Sequence, residues 1–160
     1  MANKETKRLG NKGFSLVELI VVIAIMAVLV GVLAPQFIRY VEKSRQSGDV
    51  TSIQQLMTAI ETSASEEGAF TSNVTITVAT SNNTSTATVG GGGTNQVDNA
   101  LADSGLTATV NLKSSGWQSA TLTYNVTTYK WEITGTTTNT KKPNTDLKTL
   151  VQTTSNNQQG

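Results

Sequence analysis

Glu18 is the residue whose position in this sequence most directly implies chemistry. It is the only charged residue between Phe14 and Ile38, a stretch that is otherwise almost entirely apolar. Ionisable side chains inside apolar spans are costly and are more often functional than accidental. We therefore predict a specific role for Glu18. The alternative is a carboxylate that simply reaches from the end of the span into the membrane interface.

The sequence lacks the residues of most catalytic and metal-binding sites. It contains no cysteine and no histidine, which excludes disulfides, thiolate metal sites, cysteine nucleophiles and serine–histidine triads. Asp98 and Asp103 are possible calcium ligands, but two acids five positions apart without further oxygen ligands are weak evidence. We predict no enzymatic activity, no cofactor and no metal site.

The charge of the chain is concentrated at its beginning. The formal net charge is +1, and residues 1–13 contribute +3, with Lys4, Lys7, Arg8 and Lys12 against Glu5 (4 − 1), which leaves −2 for the remainder (1 − 3). This balance argues against nucleic acid as a partner. We interpret residues 1–13 as a basic leader that stays in the cytoplasm, although the Lys and Arg counts on the two sides of the following span support this orientation only weakly.

Residues 14–38 are predicted to form a membrane-spanning helix. From Leu19 to Ile38 there is no charge for 20 residues, and Arg39 and Tyr40 follow at once, as interfacial anchors do. Inside the span, Pro35 removes the amide hydrogen that would bond the carbonyl of Gly31, and Gly31 is itself a poor helix former. We interpret this pair as a helix break, a point where the helix kinks or loosens.

The helix is expected to continue to about residue 67 with a different character. An apolar stripe at helical spacing predicts that this half packs on a small domain: Ile53, Leu56, Met57, Ile60 and Ala64. Residues 14–67 are thus one long helix, half for lipid and half for a protein core. Residues 68–160 form the head domain, which is rich in Thr and Ser and ends in a flexible C-terminus.

The head domain is predicted to contain an antiparallel sheet with one covered face. Apolar and polar residues alternate over residues 74–78, 106–112, 120–126 and 129–133, a pattern typical of half-buried strands. A short helix is expected over Val97–Leu101, and one or two helical turns around Leu147, Leu150 and Val151. The predicted fold class is α+β, with the long helix packed on the sheet.

Three other features have structural interpretations. Gly90–Gly93 lacks the Lys-Ser/Thr of a phosphate loop and is interpreted as a flexible linker. Trp117 and Trp131 are expected in the sheet core, with a sugar-binding platform as the alternative. The Asn-x-Ser/Thr sequons are expected by chance in a chain so rich in Asn and Thr: Asn73, Asn82, Asn83 and Asn125.

The start of the chain resembles the type IV pilin and pseudopilin family. A basic leader ends in Lys12-Gly13, then Phe14-Ser15-Leu16-Val17-Glu18 opens the apolar run, and Pro35 lies where many of these pilins carry a proline. The resemblance covers residues 8–60 and extends to the head domain only in general architecture. It implies that a prepilin peptidase cuts between Gly13 and Phe14 on the cytoplasmic side and methylates the new amine of Phe14.

The same resemblance implies a structural function. Mature subunits would leave the cytoplasmic membrane and pack their N-terminal helices into an extracellular filament, driven by an assembly ATPase and a platform protein, with Glu18 meeting the N-terminal amine of a neighbouring subunit. Such a filament would serve adhesion, motility, aggregation or DNA uptake. The alternatives are a pseudopilin of a secretion or competence apparatus and a membrane-anchored binding module that never polymerises.

An ordinary secretory signal is the rival interpretation of residues 1–38. Val32-Leu33-Ala34 has the small residues that signal peptidase prefers. However, the apolar region exceeds the usual length of about 7–15 residues, and Pro35 directly follows the potential cut. The sequence therefore favours processing at Gly13.

Overall fold

The computed structural model describes residues 13–66, 69–142 and 145–149, which group into two compact units, 1–38 and 39–160. Helix α1, Leu16–Ala64, belongs to the first unit up to Ile38 and to the second from Arg39 onward. Residues 1–12 of the predicted leader and the end of the chain after Thr149, including Leu150 and Val151, lie outside the described residues. Helix α1 ends at Ala64, about three residues before the end predicted near Glu67, and Glu67 and Gly68 themselves are not described.

The second unit contains a five-stranded antiparallel sheet and a short helix. The strands are β1 Val74–Ser81, β2 Thr84–Gly91, β3 Thr109–Leu112, β4 Ala120–Asn125 and β5 Lys130–Gly135, and helix α2 is Thr94–Asp103. Their order across the sheet is β3-β2-β1-β4-β5, and every neighbouring pair is antiparallel. The predicted α+β class is confirmed.

The core of the second unit forms between one face of the sheet and the predicted stripe of α1. Ile53, Leu56 and Ile60 are fully buried, and Met57 is nearly so, in one cluster with the inward side chains of the strands and of α2. The other face of the sheet is polar, and a row of threonines stands in register across all five strands: Thr109, Thr88, Thr77, Thr121 and Thr134. The predicted one-sided sheet is therefore present.

Strand β2 and the glycine run that ends it differ from the prediction. Gly90 and Gly91 pair with Thr75 and Val74 in β2, so the run is not a linker. At Gly91 (φ +82°) an added Cβ would collide with the Asn73 carbonyl, and at Gly92 (φ +69°) with the side chain of Val97. Since only glycine fits this close backbone approach, the run is a packed turn into α2.

Two strand boundaries also differ. Leu106 and Ala108 are half-buried but precede β3, which begins at Thr109. Tyr129 was expected inside a strand, yet it lies in the β4–β5 turn with φ +55° and 66% exposure. A left-handed conformation costs a non-glycine residue roughly 1–2 kcal/mol. Nothing in the packing of this exposed side chain explains why tyrosine stands there.

Buried polar side chains of α1 hold the segment that contains residues 113–118. The Asp49 carboxylate is 1% exposed and accepts hydrogen bonds from the amides of Lys113 (2.6 Å) and Ser114 (2.8 Å) and from the Trp117 indole (2.8 Å). Glu42, two helical turns earlier on the same face, accepts from the Ser114 hydroxyl. The loop is thus attached to the helix by carboxylates.

Gln46 holds Lys141 and Thr145 to the same helix. Its amide nitrogen donates to the Lys141 carbonyl (2.8 Å), and its amide oxygen accepts from the Thr145 hydroxyl (2.7 Å). Leu147 is fully buried in the core, as its apolar character suggested. Hydrogen bonds and one apolar anchor fix this segment in a chain that has no cysteine to close it with a disulfide.

Candidate functional site

The predicted cleavage site lies in uncrowded backbone ahead of α1. Gly13, Phe14 and Ser15 precede the first helical residue, Leu16. A Cβ built at Gly13 would meet nothing within 4 Å, and Phe14 is 91% exposed. A protease that binds an extended backbone can therefore reach the Gly13–Phe14 bond without unwinding a helix.

Glu18 caps the start of its own helix. One oxygen of its carboxylate accepts a hydrogen bond from the Ser15 backbone amide at 2.9 Å, and the Leu19 amide bonds the Ser15 carbonyl at 3.2 Å. The spacing Ser15-x-x-Glu18 is that of a capping box, in which an acid three residues after the cap satisfies an otherwise unpaired amide. This role was missed from the sequence, although the Ser-x-x-Glu pattern before an apolar run carries its signal.

The helix terminus favours a negative charge at this position. Amides in the first turn of a helix lack partners and make this end electropositive. A carboxylate here gains a hydrogen bond and about 0.3–1 kcal/mol from the helix dipole. The cost of placing Glu18 in apolar surroundings is accordingly reduced by its own helix.

The rest of this helical segment, up to Ile38, is apolar on all sides, and its large side chains are exposed. The large hydrophobic side chains between Phe14 and Ile38 are 49–91% exposed, a range set by Val22 and Phe14. Helix α1 is long and apolar enough to cross a membrane, by length and composition. Such a surface needs lipid or other apolar surfaces around it.

Gly31 and Pro35 both lie inside α1, which is helical through both positions. A Cβ at Gly31 would meet nothing within 4 Å, so a larger residue fits there. Pro35 cannot donate to the Gly31 carbonyl. Loosening of the helix at this pair remains a prediction.

The other candidate residues lie elsewhere. Trp117 is 2% exposed and belongs to the core, as expected, and Trp131 packs against that core with its indole donating to Glu61 at 2.7 Å. Asp98 and Asp103 lie on α2, and the described residues contain no group of three acids, histidines or cysteines that could hold a metal ion. Gly13, Phe14 and Glu18 thus belong to the first unit, and the two tryptophans and two aspartates belong to the second.

Comparison with known proteins identifies this segment. The family described as "Prokaryotic N-terminal methylation motif" matches residues 8–34. The chain carries a prokaryotic N-terminal methylation motif. The motif contains Gly13, Phe14 and Glu18 and extends through Gly31, ending one residue before Pro35.

Relatives of the chain are type IV pilins. It is 37% identical over 60 residues to the type IV major pilin protein PilA of Myxococcus xanthus, which is 38% of this chain and 27% of that protein. It is 41% identical over 51 residues to the type IV major fimbrial protein FimA of Dichelobacter nodosus, 32% of this chain and 33% of that one. The chain therefore spans about a third or less of the length of these relatives, and no solved structure matches it.

Proposed function

We propose that this chain is a structural subunit of a type IV pilus, polymerising through its N-terminal helix into an extracellular filament. The observation that carries the proposal is a methylation motif on an exposed apolar segment, residues 14–38, whose only charge is Glu18. The relatives are named as major pilin and major fimbrial proteins, which favours a pilus over a secretion pseudopilus. The relatives also favour a structural role over catalysis.

Maturation in this proposal is a single proteolytic cut followed by methylation. A prepilin peptidase cleaves between Gly13 and Phe14 at the cytoplasmic face of the membrane and methylates the amine of Phe14. The accessibility of this bond supports the step, because neither residue is helical or packed. The chain would then remain in the cytoplasmic membrane through residues 14–38 until an assembly ATPase and platform protein extract it.

Assembly in this proposal joins Glu18 of one subunit to the Phe14 amine of a neighbouring identical subunit. An N-terminal amine with a pKa near 8 is mostly protonated at neutral pH. Two opposite charges at about 4 Å attract by roughly 4 kcal/mol at an effective dielectric of about 20, before desolvation. Desolvation offsets much of this attraction, so the pair serves mainly to set the register between subunits.

The Gly31–Pro35 pair is the point at which the helix in the proposed filament would unwind first under load. The Gly31 carbonyl has no helical donor at Pro35, so fewer hydrogen bonds resist unwinding at this point. Local loosening would let the helix core extend under load. Gly31→Ala is accommodated sterically and would favour the helical form by about 1 kcal/mol in water.

Replacing Gly13 tests the proposed maturation and the filament together. Gly13→Leu places a bulky side chain beside the bond to be cut, and we expect precursor to accumulate in the membrane with no surface fibres. Gly10→Leu, at the other leader glycine, is the matched control and should be processed normally. Immunoblots of membrane fractions score cleavage, and shearing with electron microscopy scores fibres. Normal fibres from Gly13→Leu would contradict the proposal.

A further inference from the structure

A cavity of about 280 Å³ lies in the second unit, between the C-terminal end of α1 and the β4–β5 turn. Its volume is close to the lower limit of about 300 Å³ for small-molecule sites. Small and aromatic side chains and one carboxylate line it: Ala64, Ser65, Glu66, Ala69, Phe70, Val126 and Tyr129. It has room for a group of a few heavy atoms.

Hydrogen bonds fix the aromatic wall of this cavity. The Tyr129 amide donates to the Asn125 carbonyl at 2.8 Å, and the Asn125 side chain accepts from the amides of Thr127 and Thr128. The Val126 amide donates to the Asn73 side chain at 3.2 Å. The turn therefore holds Tyr129 at the cavity although its ring is 66% exposed and its backbone is left-handed. A glycine or asparagine would adopt this backbone with less strain.

The electrostatic surroundings of the cavity favour a cation. Glu66 lines the cavity, and Glu61, one helical turn earlier than Ser65, accepts from Trp131. The C-terminal end of α1 adds the negative end of the helix dipole. Over residues 13–66, 69–142 and 145–149, the salt bridge within 4 Å joins Arg45 to Glu42, so neither Glu61 nor Glu66 has a basic partner there.

Two further rings, outside the cavity lining, interact with Glu61. Tyr124 and Trp131 lie with their ring centroids 5.2 Å apart at 53°. Burial, then the carboxylate of Glu61 and the hydroxyl of Tyr129, raise the pKa of the Tyr124 hydroxyl above its usual value. The aromatic and acidic groups thus act on one another electrostatically, in surroundings that disfavour further negative charge.

We propose that this cavity binds a small quaternary ammonium group. The faces of aromatic rings attract cations that are only weakly hydrated, and quaternary ammonium ions are their characteristic ligands. Ala64, Ala69 and Val126 offer apolar contacts for methyl groups, and the Glu66 carboxylate supplies the counter-charge. A compact methylated cation matches both the size of the cavity and its chemistry. The site is separate from the residues proposed for filament assembly.

Calorimetric titration of the full chain in dodecyl maltoside micelles tests this site. Choline is the probe, and its uncharged isostere dimethylbutanol, which replaces nitrogen by carbon, is the control. We expect saturable binding of choline and about tenfold weaker binding of the isostere, because the ring and carboxylate attraction requires charge. Absence of saturable choline binding, or equal binding of the isostere, would overturn the proposal.

Variants assign the binding to this cavity. Tyr129→Asn keeps a residue that tolerates the left-handed backbone, so the turn is retained while choline affinity falls about tenfold. Glu66→Gln should weaken binding severalfold, and Thr128→Ala, in the same turn but outside the lining, should leave it unchanged. Unaltered affinity in Tyr129→Asn would refute the site.

A second ligand tests whether the site prefers a quaternary cation. Nα-acetyl-lysine amide, whose side chain ends in a primary ammonium, should bind more weakly than choline. Equal binding of the two would refute the quaternary assignment.

Discussion

At the residue scale, the hydrogen bond from the Ser15 amide to the Glu18 carboxylate lowers the cost of placing this acid in an apolar span. A single acid in an apolar span is expensive if it is bare. Here the first turn of α1 already supplies an amide partner and a favourable dipole. A carboxylate has enough lone pairs to accept a second donor while it keeps the Ser15 amide.

The proposed pairing of Glu18 with a neighbouring amine predicts the same assembly defect in two variants that differ in capping. Glu18→Gln keeps an oxygen that accepts from Ser15 but loses the charge, whereas Glu18→Ala loses both. Both variants should still be cleaved between Gly13 and Phe14, and both should give few or short fibres, because pairing with the neighbouring amine needs the charge. Fibre yield after shearing is the measurement. Wild-type yield from Glu18→Gln would show that capping, and not charge pairing, is the role of this residue.

Asp49 is the second residue whose substitution has a clear expected cost. Its buried carboxylate satisfies two backbone amides and the Trp117 indole. Asp49→Ala leaves these donors without their acceptor, and each unsatisfied buried group costs about 1–3 kcal/mol. We expect a loss of at least about 3 kcal/mol in the free energy of unfolding, measured by guanidinium denaturation with tryptophan fluorescence. Asp103→Ala, at an exposed acid, is the control, and an equal effect in both would contradict this account.

At the scale of elements, the second half of α1 is the main support of the sheet. Leu56 and Ile60 are fully buried among strand side chains. Leu56→Ala or Ile60→Ala should destabilise the second unit by about 2–5 kcal/mol. The measurement suits a fragment of residues 39–160, which we expect to be a soluble, folded monomer and which retains Glu42 for the Ser114 hydroxyl.

Gln55→Ala, on the exposed face of the same helix, controls for changes in helix propensity in that fragment. It should alter the midpoint of unfolding little. Unchanged unfolding in both Leu56→Ala and Ile60→Ala would show that the apolar stripe is not the core.

Elements with strong periodicity were predictable from the sequence, and those defined by backbone geometry were not. The stripe over residues 53–64 and the strands around Ile76 and Leu122 follow from their apolar spacing. Strand β2 was missed because its inward residues include only Ala87 and Val89 as apolar side chains, among Ser and Thr. The turn at Asn82 and Asn83, both with positive φ, carried a hairpin signal that arises from asparagine chemistry.

Contacts between residues that are distant in sequence could not be predicted from the apolar spacing either. No periodicity links Asp49 to Trp117 or Gln46 to Thr145, because such pairs depend on how the chain folds back. Tyr129 is predicted as a strand residue because it alternates with Trp131 and Ile133, and this spacing does not reveal its left-handed backbone. The candidate site was easier, since Gly13, Phe14 and Glu18 lie within six residues and their order carries the signal.

At the scale of the whole molecule, the two units differ in the polarity of their surfaces. Over residues 13–38 the first has an exposed apolar surface with one charge, Glu18, and the second has its own core and a polar outer face. This division suits a subunit that first resides in lipid and later exchanges lipid for the helices of other subunits. In the proposed exchange the same apolar surface is kept from water in either environment.

The mass of the N-terminal peptide from sheared surface filaments tests the central claim most directly. The account predicts that the protein in those filaments begins at Phe14 and that its amine carries one methyl group. The leader of residues 1–13 should be absent from the filament fraction and present in the membrane precursor. A filament protein that begins at Met1 or at Pro35, or filaments that lack this chain, would contradict the account.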